Sequence, residues 1–108
     1  MDAWELDELL HVRAAADRPY LEFQRSADLS TGLYVLPTGG TDRQQPHGED
    51  EVYLVLAGRA KITVGLAERT VGPGSVVFVA AGVDHRFHDI LEELRLLVAF
   101  GPAEGTRG

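Results

Sequence analysis

From Pro19 onward the sequence is a succession of short runs in which apolar and polar residues alternate, and glycine or proline follows most of them. An alternation with a period of two is typical of strands that bury one face, because successive side chains of an extended chain point to opposite sides. Many short strands in succession, with no helix between them, favour a sandwich or a barrel. The predicted strands are Tyr20–Arg25, Gly32–Leu36, Glu51–Leu56, Ala60–Leu66, Glu68–Val71, Ser75–Val79, His85–Asp89 and Leu94–Phe100.

The length of the chain predicts one domain with short extensions at both ends. With 108 residues, of which 44% are hydrophobic, the chain can form one packed core but not two. Residues 1–18 contain apolar residues among acidic ones and are predicted to form a short amphipathic helix that packs on the β-domain. The β-domain is predicted at residues 19–102, and residues 103–108, which are small and polar, are predicted to form a flexible tail.

Charge and composition exclude several classes of function. The net charge of −7, with only 10 Lys and Arg, argues against a nucleic-acid partner, because phosphate contacts need clustered basic residues. The absence of cysteine leaves only His, carboxylate and amide oxygen as metal ligands. The acidic N-terminal segment is unlike a signal peptide, and no apolar stretch approaches the roughly twenty residues that span a bilayer. We therefore expect a cytoplasmic protein with no membrane partner.

The segment from Gln45 to Tyr53 places several polar side chains together. In an extended chain, residues of equal parity share a face, so Gln45, His47, Glu51 and Tyr53 are predicted to point the same way. A helix would also bring His47 and Glu51 onto one face, but Pro46, Gly48 and the β-branched residues that follow disfavour one. The extended interpretation predicts three potential ligands that face one point.

A second segment ends in a histidine. This segment begins with an apolar strand and continues through a turn at Ala81-Gly82 to His85, which starts the next strand. Parity predicts that His85, Phe87 and Asp89 share one face and that His88 lies on the other. We therefore expect His85 to face the core and His88 to face solvent or an interface.

Both segments resemble the two motifs of the cupin superfamily, and more narrowly the small single-domain bacterial cupins. The first family motif reads Gly, five residues, His-any-His, three or four residues, Glu, six residues, Gly, and here Gly39, Gln45-Pro46-His47, Glu51 and Gly58 fit that spacing. The second motif reads Gly, five residues, Pro-any-Gly, two residues, His, three residues, Asn, and here Gly74, Ala80-Ala81-Gly82, His85 and Asp89 fit. Two motifs of matched spacing, in the right order, are a specific joint signal.

The resemblance implies an all-β fold, an antiparallel double-stranded β-helix or jelly-roll barrel, with the short helix at its N-terminus. It also implies one divalent metal ion inside the barrel, held by Gln45, His47, Glu51 and His85. Gln45 stands where the motif has its first histidine, and a neutral amide oxygen is a weaker ligand than imidazole. The set that remains has two His and one carboxylate, which suits iron but leaves Mn, Ni, Co, Cu and Zn open.

Other interpretations of these residues stand beside the metal site. His47, Glu51 and His85 could form a buried hydrogen-bond network without a metal, although an unpaired buried glutamate is costly. Glu49 is a fallback ligand, but at the start of a strand it is more simply a solvated rim residue. Single arginines could bind an anionic substrate, although on strands and turns they are usually solvated; they are Arg25, Arg43, Arg59 and Arg95.

Two classes of function follow from the resemblance. The first is a metal-dependent enzyme acting on a small organic molecule, a dioxygenase before an isomerase or cyclase, with Glu51 and Tyr53 as candidate catalytic residues. The second is a non-catalytic barrel that binds a small ligand or protects a partner, with a structural metal or none. In either case the apolar N-terminal segment with Trp4, Leu6, Leu9 and Leu10 predicts a homodimer.

Overall fold

A computed structural model describes residues 1–43 and 46–108. One helix, α1 (Leu6–Ala15), precedes six strands in the described residues. The strands are β1 (Tyr20–Arg25), β2 (Ser30–Leu36), β3 (Asp50–Val64), β4 (Ala67–Val71), β5 (Val76–Val79) and β6 (His85–Gly101). The predicted all-β jelly-roll barrel with an N-terminal helix is confirmed.

All pairings within the sheet are antiparallel, in the order β1-β2-β6-β3-β4, and β5 pairs with the first part of β3. The two long strands, β3 and β6, pair with each other almost from end to end. Register shifts near the middle of β3 bend the pair, so that its two halves belong to different sides of the barrel. The barrel is therefore organised around one bent pair of long strands, which β4 and β5 separate in the sequence.

The bend explains why two predicted strand breaks were wrong. The break predicted between Leu56 and Ala60 lies within β3, which continues through Gly58 with a φ of +93°. A Cβ at this position would lie 2.2 Å from the carbonyl oxygen of Glu93 on β6, so only glycine allows the two strands to approach there. The predicted gap between Asp89 and Leu94 is likewise part of the continuous strand β6.

The barrel interior is apolar except at one end. Side chains at alternate positions of β3 and β6 point inward, whereas β2, which pairs with β6 along its whole length, is buried without a break from Gly32 to Leu36. The largest fully buried apolar side chains are those of Leu33, Tyr53, Val55, Val71, Val79, Phe87, Leu94, Leu96, Val98 and Phe100. Glu51 and His85 are buried with them, at 1% and 7% exposure, so the interior contains ionisable groups that need a partner.

Helix α1 lies against β1 and β2, and Trp4 just before it packs edge-on against Phe23 at a centroid distance of 5.0 Å. No residue of the helix itself is buried. Asp7 and Glu8 in its first turn and Arg13 in its last turn have the signs that the helix dipole favours. Within residues 1–43 and 46–108, no helix has the length and hydrophobicity needed to cross a membrane.

Candidate metal centre

Three predicted ligands converge at one end of the barrel. His47 precedes β3, Glu51 is the second residue of that strand, and His85 is the first residue of β6. One potential ligand atom from each of them lies within 4.8 Å of the other two. Glu51 is fixed by its neighbours, because β3 pairs with Val79 on one side and with Phe100 on the other at this position. The backbone also links the two segments, since the amide of Gly82 donates to the carbonyl of His47 at 2.6 Å.

The atoms that face one another in this group have unused bonding capacity. His47 Nε2, both carboxylate oxygens of Glu51 and His85 Nε2 are buried, and none has a hydrogen-bond partner among the described residues. Buried polar atoms are normally paired, since leaving one unpaired costs about 1–3 kcal/mol. Four such atoms in one place therefore indicate that a further group, absent from the described chain, binds them. A cation that accepts lone pairs from all three side chains satisfies them together.

The orientation of His85 strengthens this argument. Its Nδ1 lies 2.9 Å from the carbonyl oxygen of Val83, so Nδ1 carries the proton and donates it to that carbonyl. In a neutral ring Nε2 then presents a lone pair, and it lies 2.9 Å from Oε1 of Glu51 without the geometry of a hydrogen bond. Two acceptors face each other, so they need either a proton on Nε2 or a cation that binds both.

Burial and the neighbouring acceptor groups shift the pKa of His85 in opposite directions. Burial lowers the pKa of His85, but the carboxylate of Glu51 and the carbonyl of Val83 outweigh it, and the net result is a pKa above the ordinary value. A protonated His85 would form an ion pair with Glu51. That pair would leave Nε2 of His47 without a partner, whereas a metal ion would satisfy all three residues.

A buried carboxylate that sequence analysis missed supports the strand that carries His85. Asp42 accepts a hydrogen bond from the hydroxyl of Tyr34 at 2.7 Å and another from the backbone amide of Phe87 at 2.9 Å. The pKa of Tyr34 is raised by its burial and by Asp42, so its hydroxyl remains a donor at neutral pH. No motif marks Asp42, because its role depends on contacts with residues distant in sequence.

A pocket of about 300 Å³ leads from the surface to His47. Its apolar walls are Pro19, Val98 and Phe100. Its polar lining comes from side chains widely separated in sequence, namely Tyr20, Tyr34, Arg43, His47 and Glu104. This volume is at the lower end of the range found for small-molecule sites, so the pocket suits a small ligand next to His47, which alone of the three converging residues lines it.

The other predicted site residues have different outcomes. Gln45 lies outside the described residues, so its predicted coordination stays a prediction. Tyr53 shares the inner face with Glu51, is fully buried, and has its ring centroid 6.1 Å from that of His85 and 4.9 Å from that of Phe87. The lining of the pocket comes from other residues, which leaves Tyr53 on the packed side of the site.

Two expectations about neighbouring residues were wrong. Asp89 was predicted to share the inner face with His85, but its φ of +49° reverses the alternation and Ile90 is buried in its place. Glu49 was predicted to lie on a solvated rim, but it is 1% exposed. Its carboxylate accepts the backbone amides of Gly105 at 3.0 Å and Arg107 at 2.7 Å. Glu49 thus binds the C-terminal segment, and the mobility predicted for residues 103–108 stays a prediction.

Sequence comparisons agree with this architecture. A family model described as the cupin domain matches residues 32–100. An uncharacterised protein of Streptomyces coelicolor is 56% identical over 104 residues, which cover 96% of this chain and 99% of that protein.

Solved structures show the same fold. Protein TT1209 of Thermus thermophilus has a TM-score of 0.78 and 26% identity, over 95% of this chain and 99% of that one. A cupin 2 conserved barrel domain protein of Salinispora arenicola has a TM-score of 0.73 and 20% identity, over 93% and 87% of the two chains. The DMSP lyase DddQ of Ruegeria pomeroyi has a TM-score of 0.65 and 28% identity, over 70% of this chain and 39% of that one. From the matched family model, the close relative and the shared barrel, the chain belongs to the cupin family.

Proposed function

We propose that this cupin binds one divalent transition metal through His47, Glu51 and His85 and acts as a metal-dependent enzyme on a small organic molecule. The observation that carries the proposal is a set of four buried atoms that could each bind a metal ion and that have no hydrogen-bond partner in the described part of the chain. Two imidazoles and one carboxylate suit Fe, Mn, Ni, Co, Cu and Zn. Gln45 is the fourth candidate ligand.

The pocket supports an enzyme over a closed structural site. A structural metal is normally enclosed by its ligands, whereas a catalytic metal keeps a position open toward its substrate. Here a cavity of about 300 Å³ reaches His47 from the surface. A metal ion in such a site supplies Lewis acidity and polarises a bound carbonyl, enol or carboxylate. A similar barrel occurs in a protein named as a lyase, the DMSP lyase DddQ, and this supports the enzymatic proposal.

The residues divide the proposed work between them. His47, Glu51 and His85 hold the ion, and the carbonyl of Val83 fixes the ring of His85 with Nε2 toward Glu51. Glu51 is also the candidate general base. Tyr53 packs against the rings of His85 and Phe87, so we assign it a supporting position beside the site. Resemblance to the family favours a dioxygenase first and an isomerase or cyclase second.

Elemental analysis of protein purified without a chelator tests the metal site. We expect about one equivalent of a transition metal in the wild type, and much less in His47→Ala and Glu51→Ala. His11→Ala, which removes an exposed histidine from α1, is the matched control and should keep the metal. The proposed site is wrong if the wild type contains no metal and still binds none after each ion has been added in turn. It is also wrong if the two variants retain as much metal as the wild type.

A further inference from the structure

Tyr20 lines the pocket and carries an unused hydrogen-bond donor. Its ring packs edge-on against Tyr34 at 6.1 Å and Phe100 at 6.4 Å, and a Cβ at residue 32 would lie only 2.1 Å from its hydroxyl oxygen. The ring is therefore held over Gly32. The hydroxyl is buried and has no partner among the described residues. Burial and neighbouring carboxylates raise the pKa of Tyr20, so the group remains a donor.

Glu104 contributes an acceptor from the opposite end of the chain. Its backbone is fixed on both sides, because its amide donates to Oγ of Ser30 at 2.9 Å and its carbonyl accepts from Arg25 at 2.9 Å. Its side chain lines the pocket, and its carboxylate has no hydrogen bond to the rest of the described chain. The pocket lining thus includes a buried phenol that needs an acceptor and a partly exposed carboxylate that can accept a hydrogen bond.

Arg43 adds a positive charge to the lining of the same pocket. Among the described residues, the arginines in salt bridges are Arg25, Arg59 and Arg95, and no salt bridge involves Arg43. A guanidinium binds a carboxylate with paired, directional hydrogen bonds. In a chain with a net charge of −7, an unpaired arginine beside the pocket is suited to an anionic ligand.

We infer that the pocket binds a small hydroxycarboxylic acid, whose carboxylate pairs with Arg43 and whose hydroxyl group binds Tyr20 and Glu104. A hydroxyl group is the simplest group that accepts from the phenol and donates to the carboxylate at once. Val98 and Phe100 line the wall for a short hydrocarbon body, and the volume of about 300 Å³ limits its size. This inference names the ligand class of the proposed metal site and rests on that proposal, because His47 lines the same pocket.

Three probes that differ by one group test the inference. Lactate has both a carboxylate and a hydroxyl group, propionate lacks the hydroxyl group, and propane-1,2-diol lacks the carboxylate. They are titrated into the metal-loaded protein, and binding is followed by isothermal calorimetry and amide chemical shifts. We expect lactate to bind about tenfold more tightly than either of the others, since a site built for a hydroxyl group rejects analogues that lack it.

Variants assign the two groups of the ligand separately. Tyr20→Phe keeps the ring and should reduce the preference for lactate over propionate, whereas Arg43→Gln should weaken both acids and leave the diol unchanged. Arg86→Gln, which alters an exposed arginine outside the pocket, is the control for charge. Thermal melts establish that each variant is folded. Equal affinities for lactate and propionate, no binding of lactate, or an unchanged preference in Tyr20→Phe would overturn the inference.

The metal content of every sample separates this inference from the proposed function. If the protein holds its metal but lactate does not bind, the ligand class is wrong and the metal site stands. If no metal is bound under any condition, the proposed function fails, and the same titrations on the metal-free protein decide the ligand class independently.

Discussion

Nε2 of His85 lies 2.9 Å from Oε1 of Glu51, and the other nitrogen of the ring already donates to the carbonyl of Val83. The pair is thus arranged so that a lone pair of the imidazole and a lone pair of the carboxylate face the same point. In a buried site such an arrangement is stable only when a proton or a metal ion lies between the two residues. The first two predictions distinguish these two cases.

Metal binding should stabilise the protein through Glu51. A ligand at 100 times its dissociation constant stabilises the folded state by about 2.7 kcal/mol, so the melting temperature should rise clearly when metal is added to the chelator-treated protein. Glu51→Gln keeps the shape of the side chain but removes its charge, and should abolish most of this rise. Glu92→Gln, on an exposed glutamate, should preserve it. An equal rise in Glu51→Gln and the wild type would contradict the assignment of Glu51.

The metal-free protein should lose stability as the pH rises above about 6.5. The pKa of His85 is raised in the folded state above its ordinary value of 6.5, so its contribution is fully present below the unfolded pKa and is lost as the pH passes the folded pKa. Thermal melts in chelator between about pH 5.5 and 8.5 measure this effect. His85→Gln should flatten the dependence, and His11→Gln should leave it unchanged.

Metal loading should show the opposite dependence on pH, because protons compete with the ion for the imidazoles. Metal loading should therefore decline as the pH falls below neutrality.

The stability of the metal-free protein could instead be the same on both sides of neutrality, with no difference between His85→Gln and the wild type. That result would contradict the raised pKa of His85.

Glu49→Ala should release the C-terminal segment. The carboxylate of Glu49 accepts the amides of Gly105 and Arg107, and its loss leaves both without that acceptor. Hydrogen exchange at these two amides should become faster, and the free energy of unfolding should fall by about 2 kcal/mol. Glu92→Ala is the control, since it removes an exposed glutamate. Unchanged exchange at residue 107 would show that the hydrogen bond does not order the segment.

Gly32→Ala should displace the ring of Tyr20. A Cβ at residue 32 would meet that ring at 2.1 Å, so either the ring or the strand must move, at a cost of about 1–3 kcal/mol. Gly101→Ala is the matched control, because its nearest neighbour is 3.9 Å away. The cost should shrink when Tyr20 is also replaced by alanine. An equal cost with and without the ring would contradict this account.

We propose, as the sequence predicts, that two copies of the chain associate through the N-terminal segment. Trp4 is 45% exposed, Leu6 40% and Val12 53%, which leaves apolar surface beside the barrel. Light scattering after size exclusion should give a dimer at micromolar concentration, and Leu6→Glu should weaken it. Leu66→Glu, at an exposed turn, should not. A monomeric wild type would rule out this association.

The sequence predicted the barrel and three of the site residues because both depend on local spacing. His47, Glu51 and Tyr53 lie at alternate positions of one extended segment, and in the folded chain they lie on the same side, as predicted. His85 likewise lies just after a tight turn, where the sequence places it. The parity argument failed at Asp89, where a left-handed backbone conformation interrupts the alternation. A non-glycine residue rarely adopts that conformation, and nothing in the residue pattern predicts it.

The remainder of the site depends on contacts between distant segments. Asp42 bonds to β2 and β6, Glu49 binds residues more than fifty positions away, and Glu104 comes from beyond the last strand. Polar residues of this kind look solvated in a sequence, because their partners are known only after the chain has folded. The strand break predicted between Leu56 and Ala60 was wrong for the same reason, since β3 passes through Gly58 against the backbone of Glu93 on β6.

The three converging residues differ in how firmly the backbone holds them. Glu51 lies in a strand that is paired on both sides, and His85 is the first paired residue of β6. His47 lies before β3, outside the ladder, and its backbone is tied by the carbonyl that accepts from Gly82. The sheet therefore fixes the positions of two candidate metal ligands, Glu51 and His85, and a loop fixes the position of the third, His47. Ions that differ in preferred bond length would be accommodated chiefly by movement of His47, so exchange of one metal for another should alter that loop and leave the barrel unchanged.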